Sequence, residues 1–308
     1  MPTQPKFTVQ RRRKVPIIEF TEPVPINGTV RLLLQFDEHW DNPHSNQELI
    51  AKHMQEAVDE GAPIIKGGDQ LCLMQGRYDP RRSRDDIRPE HDAPNYIDKI
   101  VEGYGDFCEF AAPNIAFMGR GNHELSILRH LETDVIERVG ERLRAAGSSV
   151  VTGGIGGWII CKIRVSKTNK ISVPIFYTHG TGGGGPVTKG VIGTNRRAVY
   201  LPDAQVVISG HIHEEWVVTL CRDRLSKQGR VYQDEQVHIC SATYKDEYDP
   251  PASTWHTQVG RPPKPIGGTW LELTLHKEFD GMLRDGGRDF PCSRSSPMLD
   301  GQSRDTAP

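Results

Sequence analysis

The sequence predicts an α/β fold in which two mixed sheets pack face to face with helices outside. Three observations carry this. Up to about residue 146, short apolar β-branched runs alternate with stretches of helical period, the pattern of βαβ units. From about residue 150 onwards, strand-like runs follow one another with little helix between them. With 308 residues, 36% of them hydrophobic, the chain has material for a sizeable core.

The elements follow in order. TVRLLLQF (29–36) reads as a buried strand and ends in the turn-rich DEHWDNPHSN. A helix then starts at Ser45, with Ser45 and Glu48 at capping-box spacing. Leu49, Ile50, His53, Met54, Ala57 and Val58 supply its apolar face. APIIKGGD (62–69) is the next strand. LCLMQGRYDPRRSRDDIRPEHDAP (71–94) reads as a charged insertion. NYIDKIVEGYGDFCEFAA (95–112) reads as a helix interrupted by Gly103 and Gly105, and NIAFMG (114–119) as a third strand. One helix is expected from about His123 to Ala146. VVTGG, GWIICKIRVS, ISVPIFYTHG, AQVVISGH, EWVVTLCRD, RVYQDEQVHICSATY and GTWLELTL are then strands, with one further helix near 187–200. Residues 1–13 read as a flexible arm, 14–276 as the domain, and 277–308, rich in Gly, Arg, Ser, Asp and Pro, as a disordered tail.

Composition narrows the class. The formal charge of −2 gives no bulk positive field for non-specific nucleic-acid binding, though it leaves nucleic acid open as a substrate. The six cysteines are scattered and form no C-x-x-C pair, which suits reduced thiols rather than a disulfide framework. The start, MPTQPKFTVQRRRK, lacks the apolar segment of a signal peptide, and no run is long enough to span a membrane. The expected compartment is the cytoplasm. The cluster Arg11, Arg12, Arg13 and Lys14 reads as a solvated tail, or else as a targeting or phosphate-binding patch.

Chemistry concentrates at strand ends. Asp37 and His39 follow the first strand and Asp69 the second. Asn122 and His123 follow the third, His179 a later one, and His211 with His213 the run VVISG. Ligands in α/β sheets bind outside the carboxyl ends of strands, so these five ends would meet in one crevice. Leaving His123 aside, Asp37, His39, Asp69, Asn122, His179, His211 and His213 exceed what one ion with an open position takes. They suit two ions sharing a bridging carboxylate. Histidine, carboxylate and amide-oxygen donors suit Mn, Fe or Zn and disfavour Ca.

The ordered set D-x-H (Asp37, His39), G-D (Gly68, Asp69), G-N-H-E (Gly121 to Glu124), H-G (His179, Gly180) and G-H-x-H (Gly210 to His213) resembles the calcineurin-like metallophosphoesterases over roughly residues 30–215. The resemblance implies a four-layer α/β/β/α sandwich. It implies that Asp37, His39 and His213 hold one ion, that Asn122, His179 and His211 hold a second, and that Asp69 bridges. Manganese is the expected metal, with iron or zinc as alternatives. His123 would meet the leaving-group oxygen. The implied activity is phosphoester hydrolysis by in-line attack of a metal-activated water. Similarity to nuclease and phosphodiesterase branches favours diesters of nucleic-acid or nucleotide type. A phosphomonoesterase acting on protein or nucleotide is the alternative, and a non-catalytic binding scaffold a third. Where many members carry a carboxylate or asparagine three residues after the bridging aspartate, this chain has Cys72.

Other features stay open. Arg77, Arg81 and Arg82, with Arg84 and Arg88, form either a phosphate clamp over the substrate or a surface loop paired with its own Asp79, Asp85, Asp86 and Glu90. GTGGGGPVTKG (180–190) reads as a phosphate cradle or as a hinge beside His179. Trp40 and Tyr78 are candidates for stacking on a base, against the commoner role of packing.

Overall fold

The computed structural model describes residues 4–74, 87–183, 185, 187–246, 248 and 262–275, and the backbone of 292–297. Two mixed sheets form the centre. One has six strands: β3 (Thr29–Gln35), β4 (Ile64–Lys66), β5 (Ile115–Met118), β6 (Val151–Thr152), β12 (Thr269–Thr274) and β13 (Cys292–Pro297). Their order is β13-β12-β3-β4-β5-β6, with β3 to β6 parallel and the other pairings antiparallel. The second sheet has seven: β1 (Phe7–Arg12), β2 (Val15–Phe20), β7 (Gly156–Arg164), β8 (Lys170–Thr178), β9 (Val206–Ser209), β10 (Trp216–Leu225) and β11 (Val231–Cys240), ordered β1-β2-β7-β8-β9-β11-β10. Helices α1 (Gln47–Glu60), α2 (Tyr96–Cys108), α3 (Asn122–Leu131) and α4 (Val135–Ala145) connect strands of the first sheet, and α5 (Ile192–Tyr200) precedes β9.

Alternation along β3 shows how the layers separate. Val30, Leu32 and Leu34 enter the core between the sheets with Ile65, Phe117, Ile159, Ile175 and Ile208. Leu33 points the other way, into a core with Ile50 and Met54 of α1, Tyr104 of α2 and Val139 of α4. Each such side chain contributes about 1.5–3 kcal/mol by leaving water. A strand buried on both faces reads as the continuous apolar run LLL. Leu201, Ala204 and Val207 make a small third cluster with Trp158 and Phe176. The α/β architecture of two mixed sheets flanked by helices is therefore present. Among the described residues no helix is long and apolar enough to cross a membrane.

Several local expectations need correction. Within the supposed N-terminal arm, Phe7–Arg12 is β1, paired along β2, because Phe7 is buried in the intersheet core with Val9 packed against it. The α1 cap is Asn46, whose side chain accepts from the Leu49 amide; Ser45 Oγ is committed to the Glu38 carbonyl. The helix expected over 95–112 ends at Cys108 and tightens into a 3-10 turn through Pro113. The helix expected from 123 to 146 is two helices. Glu132 takes a left-handed conformation, and Asp134 caps α4 by accepting from the Glu137 amide. Within the supposed tail, Cys292–Pro297 pairs antiparallel along β12 and so covers what would be an open sheet edge. The rest of 277–308 lies outside the described residues, as do Arg77, Tyr78, Arg81, Arg82 and Arg84.

Candidate metal centre

The carboxyl ends of β3, β4, β5, β8 and β9 open onto one place. Each apolar run stops where its chain turns, and the turns are unusual. Asp37, His39, Asp69, His211 and His213 all have positive φ, at 52°, 45°, 49°, 74° and 54°. For residues with a Cβ, such backbone costs of order 1–3 kcal/mol each and persists only where its surroundings hold it. Here they do. The Asp37 amide donates to the Gly68 carbonyl (3.1 Å), and that of His39 donates to the Asp69 carbonyl (3.0 Å). The Asp37 carbonyl accepts from the Tyr244 amide (3.1 Å) and from Thr243 Oγ1 (2.8 Å). Gly121 is required by closeness, since a Cβ there would lie 2.0 Å from Asp69 Oδ1.

Seven expected side chains converge. Asp37, His39 and His213 form one group and Asp69, His179 and His211 another, each with ligand atoms within 4.8 Å of one another. Within the first, His213 Nε2 is 3.5 Å from Asp37 Oδ1 and 3.3 Å from His39 Nε2. Within the second, His179 Nε2 lies 3.1 Å from Asp69 Oδ2 and 3.2 Å from His211 Nδ1. Asn122 Oδ1 adjoins it, 3.0 Å from His179 Nε2. His179 Nε2 is also 3.9 Å from Asp37 Oδ1, so the groups touch.

One atom tests whether these residues fit a cation. Asp37 Oδ1 is buried and has no hydrogen-bond partner, while nitrogens of His39, His179 and His213 surround it at 3.5–4.0 Å. A buried carboxylate oxygen left this way is costly unless positive charge compensates it. The electrostatics agree. Burial opposes charge on His179, yet Asp69 and Asp37 beside it raise it to about 9. Burial also opposes ionisation of Asp69, but His179 and then His123 hold its carboxyl well below the usual range. His39, buried and then repelled by His123, is driven well below its ordinary value and stays neutral. The pocket favours a positive charge between its carboxylates, which a divalent cation would supply. The residues that fit one are Asp37, His39, His213, Asp69, Asn122, His179 and His211.

His123 is buried beside Asp69 and His39. Its amide donates to Asp69 Oδ1 (3.0 Å), and its Nδ1 bonds the Cys72 carbonyl. A carbonyl only accepts, so Nδ1 carries the hydrogen and Nε2 is the end that can exchange a proton. Nε2 is 3.8 Å from Asp69 Oδ2.

Two supports were not legible in the sequence. Glu124, last residue of G-N-H-E, is buried and accepts from the amides of Gly121 (2.7 Å), Leu71 (3.0 Å) and Asp69 (3.1 Å). It locks the Asp69 turn to the start of α3, and its glutamate at that spacing was the available signal. Glu38, between Asp37 and His39, turns away from the site into a fully buried ion pair with Lys66 (2.5 Å). Tyr104 Oη donates to Glu38 (2.7 Å), and Lys66 Nζ donates to Gln35 (2.9 Å).

Other candidates fall elsewhere. Trp40 is buried against His91, Tyr104 and Phe107, a packing role. Arg88 donates to the carbonyls of Asn42 (3.1 Å) and Ser45 (3.1 Å), tying the foot of the insertion to the loop after His39. In the glycine-rich segment the Lys189 carbonyl accepts from Trp216 Nε1 (2.9 Å).

No protein-family model matches this chain, and no curated protein matches it. Solved structures do. One is a conserved uncharacterised protein, a predicted phosphoesterase, from Streptococcus pneumoniae, at 11% identity and TM-score 0.31 over 87% of this chain and 99% of that one. Another is GAP50, the anchor in the inner membrane complex of Plasmodium, at 11% identity and TM-score 0.38 over 80% and 81%. A third is Vps29 of Entamoeba histolytica complexed with zinc, at 12% identity and TM-score 0.33 over 87% and 98%. Likeness at these levels carries no argument about activity. The functional reading rests on the side chains themselves: two adjoining sets of histidine and carboxylate donors around a buried aspartate oxygen that no hydrogen bond satisfies.

Proposed function

We propose that this protein is a di-metal phosphoesterase that hydrolyses phosphodiesters of nucleic-acid or nucleotide type. The observation that carries the reading is the pair of adjoining donor groups about Asp37 Oδ1, a buried oxygen with no hydrogen-bond partner. Asp37, His39 and His213 would hold one ion; Asn122, His179 and His211 the other; Asp69 would link them. Manganese suits this donor set, with iron or zinc as alternatives. Two such ions supply Lewis-acid activation of water and of the phosphoryl oxygens.

The chain's own residues supply the rest. Two aspartates offset only half the charge of two divalent ions, so the site keeps a positive excess that suits an anionic phosphate. Glu124 and the Asp37 backbone bonds fix the donors before substrate arrives, which removes reorganisation from the reacting state. His123, held by its Nδ1 hydrogen, presents Nε2 to protonate a departing alkoxide. An alkoxide of a nucleotide sugar is a poor leaving group and needs that proton.

The test compares bis-p-nitrophenyl phosphate with p-nitrophenyl phosphate, using manganese-loaded and EDTA-treated protein. Metal-dependent diester turnover is expected. Preference for the monoester would instead favour a phosphomonoesterase. No turnover of either, and none with oligonucleotides or nucleotides, would leave only a binding role.

A further inference from the structure

Cys72 stands at the centre without a place in the mechanism. Its thiol is buried, and its Sγ lies within 4.8 Å of a ligand nitrogen of His39 and of His123. The three were not grouped by sequence spacing. They meet because the Asp69 turn carries the chain back over His39. Asp41 holds that segment by accepting from the Leu73 amide (2.8 Å) and from the Cys72 amide. The His39 and His123 rings meet edge to face at 5.0 Å, and His39 Nδ1 is buried with no hydrogen-bond partner. One sulfur and two imidazoles form a donor set unlike the others in the centre. Thiolate selects thiophilic ions such as Zn, while the groups beside it mix imidazole nitrogen with carboxylate and amide oxygen and hold no sulfur.

We propose that Cys72, His39 and His123 form a distinct site for one thiophilic divalent cation, of the zinc and cadmium class. On binding, the thiol releases its proton to solvent as the sulfur–metal bond forms. His39 belongs both to this group and to the group with Asp37 and His213. One neutral imidazole serves one ion, so a thiophilic cation here withdraws His39 from the manganese set and occupies His123 as well. Zinc or cadmium then inhibits the manganese form through Cys72. This inhibitory consequence rests on the di-metal reading; the binding does not.

The experiment titrates metal-free protein with Cd2+ and follows the ultraviolet sulfur-to-cadmium charge-transfer band. Cys221 is exposed, and Cys292 is also a cysteine of the chain, so both are first replaced by serine. One thiolate-bound cadmium per chain is expected, with the band absent after Cys72→Ser. A band that survives Cys72→Ser overturns the proposal. The cadmium-113 chemical shift of the Cys72-containing protein needs no further variant. A shift in the range of mixed sulfur and nitrogen ligation supports the site, and one in the all-oxygen range overturns it. In the assay, Cys72→Ser is expected to raise the cadmium concentration for half-inhibition of the manganese form by at least about tenfold, the lower end of what losing even an outer-shell partner costs a metal site. Equal sensitivity of both proteins overturns the inhibitory claim. A cadmium band without hydrolysis under any metal removes the phosphoesterase reading and leaves the thiol site. Hydrolysis without a band does the reverse.

Discussion

The amide of His211 donates to Asp37 Oδ2 at 2.7 Å, joining the end of β9 in one sheet to the end of β3 in the other. That bond fixes the carboxylate so that Oδ1, its other oxygen, faces the three histidines. Asp37→Asn can keep the bond through its amide oxygen but then presents an NH2 group to the ion. Manganese affinity at the first position is expected to fall by at least about tenfold with the fold intact. Isothermal titration with unchanged circular dichroism checks this; undiminished affinity would remove Asp37 from the ligand set.

Asp69 Oδ2 lies 3.1 Å from His179 Nε2, the same nitrogen that reaches Asp37 Oδ1 of the first group at 3.9 Å. Asp69→Ala is expected to empty both positions. Elemental analysis showing two ions per chain would refute the bridging role.

His123→Ala is expected to keep both ions and to lose about 10²–10⁴-fold in kcat with an alkyl leaving group. The loss should be far smaller with p-nitrophenolate, which leaves without a proton. Equal losses with the two leaving groups would assign His123 to packing.

How legible was this in the sequence? The places of Asp37, His39, Asp69, Asn122, His123, His179, His211 and His213 were readable because each ends or closely follows an apolar run, and parallel strands bring their carboxyl ends together. Supporting polar groups were not. Lys66 lies within the strand run APIIKGGD, and only the structure shows it buried and neutralised by Glu38. Ser45 looked like a helix cap, but its hydroxyl already serves the Glu38 carbonyl. The break at Glu132 was hidden because helical period resumes in phase beyond it.

Metal-free protein should lose stability as pH rises. His179 is raised to about 9 from 6.5, so the stability from its charge is full below about pH 6.5 and is lost as pH passes about 9. Glu124, raised by burial and then by Asp69 to about 8 from 4.5, acts in the same direction. The Tm of EDTA-treated protein is therefore expected to fall between pH 6 and 9.5. Saturating manganese should flatten or reverse that fall, because a cation then replaces the proton. A rising Tm without metal would contradict these assignments.

The Glu38–Lys66 pair makes a different prediction. Removing one partner leaves a buried charge uncompensated, so Lys66→Met is expected to destabilise by about 3–5 kcal/mol. Glu38→Gln with Lys66→Met should recover much of that in urea unfolding. If the single and double variants unfold alike, the pair is not coupled.

The pocket draws on two stretches of the chain that lie far apart in sequence. Asp37, His39, Asp69 and Asn122 precede residue 123, while His179, His211 and His213 follow it. During synthesis the first four leave the ribosome long before the last three, and no cation can be fully enclosed until residue 213 has emerged and the second sheet has docked. Any ion capture would then be a late event in the birth of the molecule. A nascent or truncated chain ending before residue 179 would hold only Asp37 and His39 of the first donor group and only Asp69 and Asn122 of the second, so the two groups would be completed together, by the second sheet.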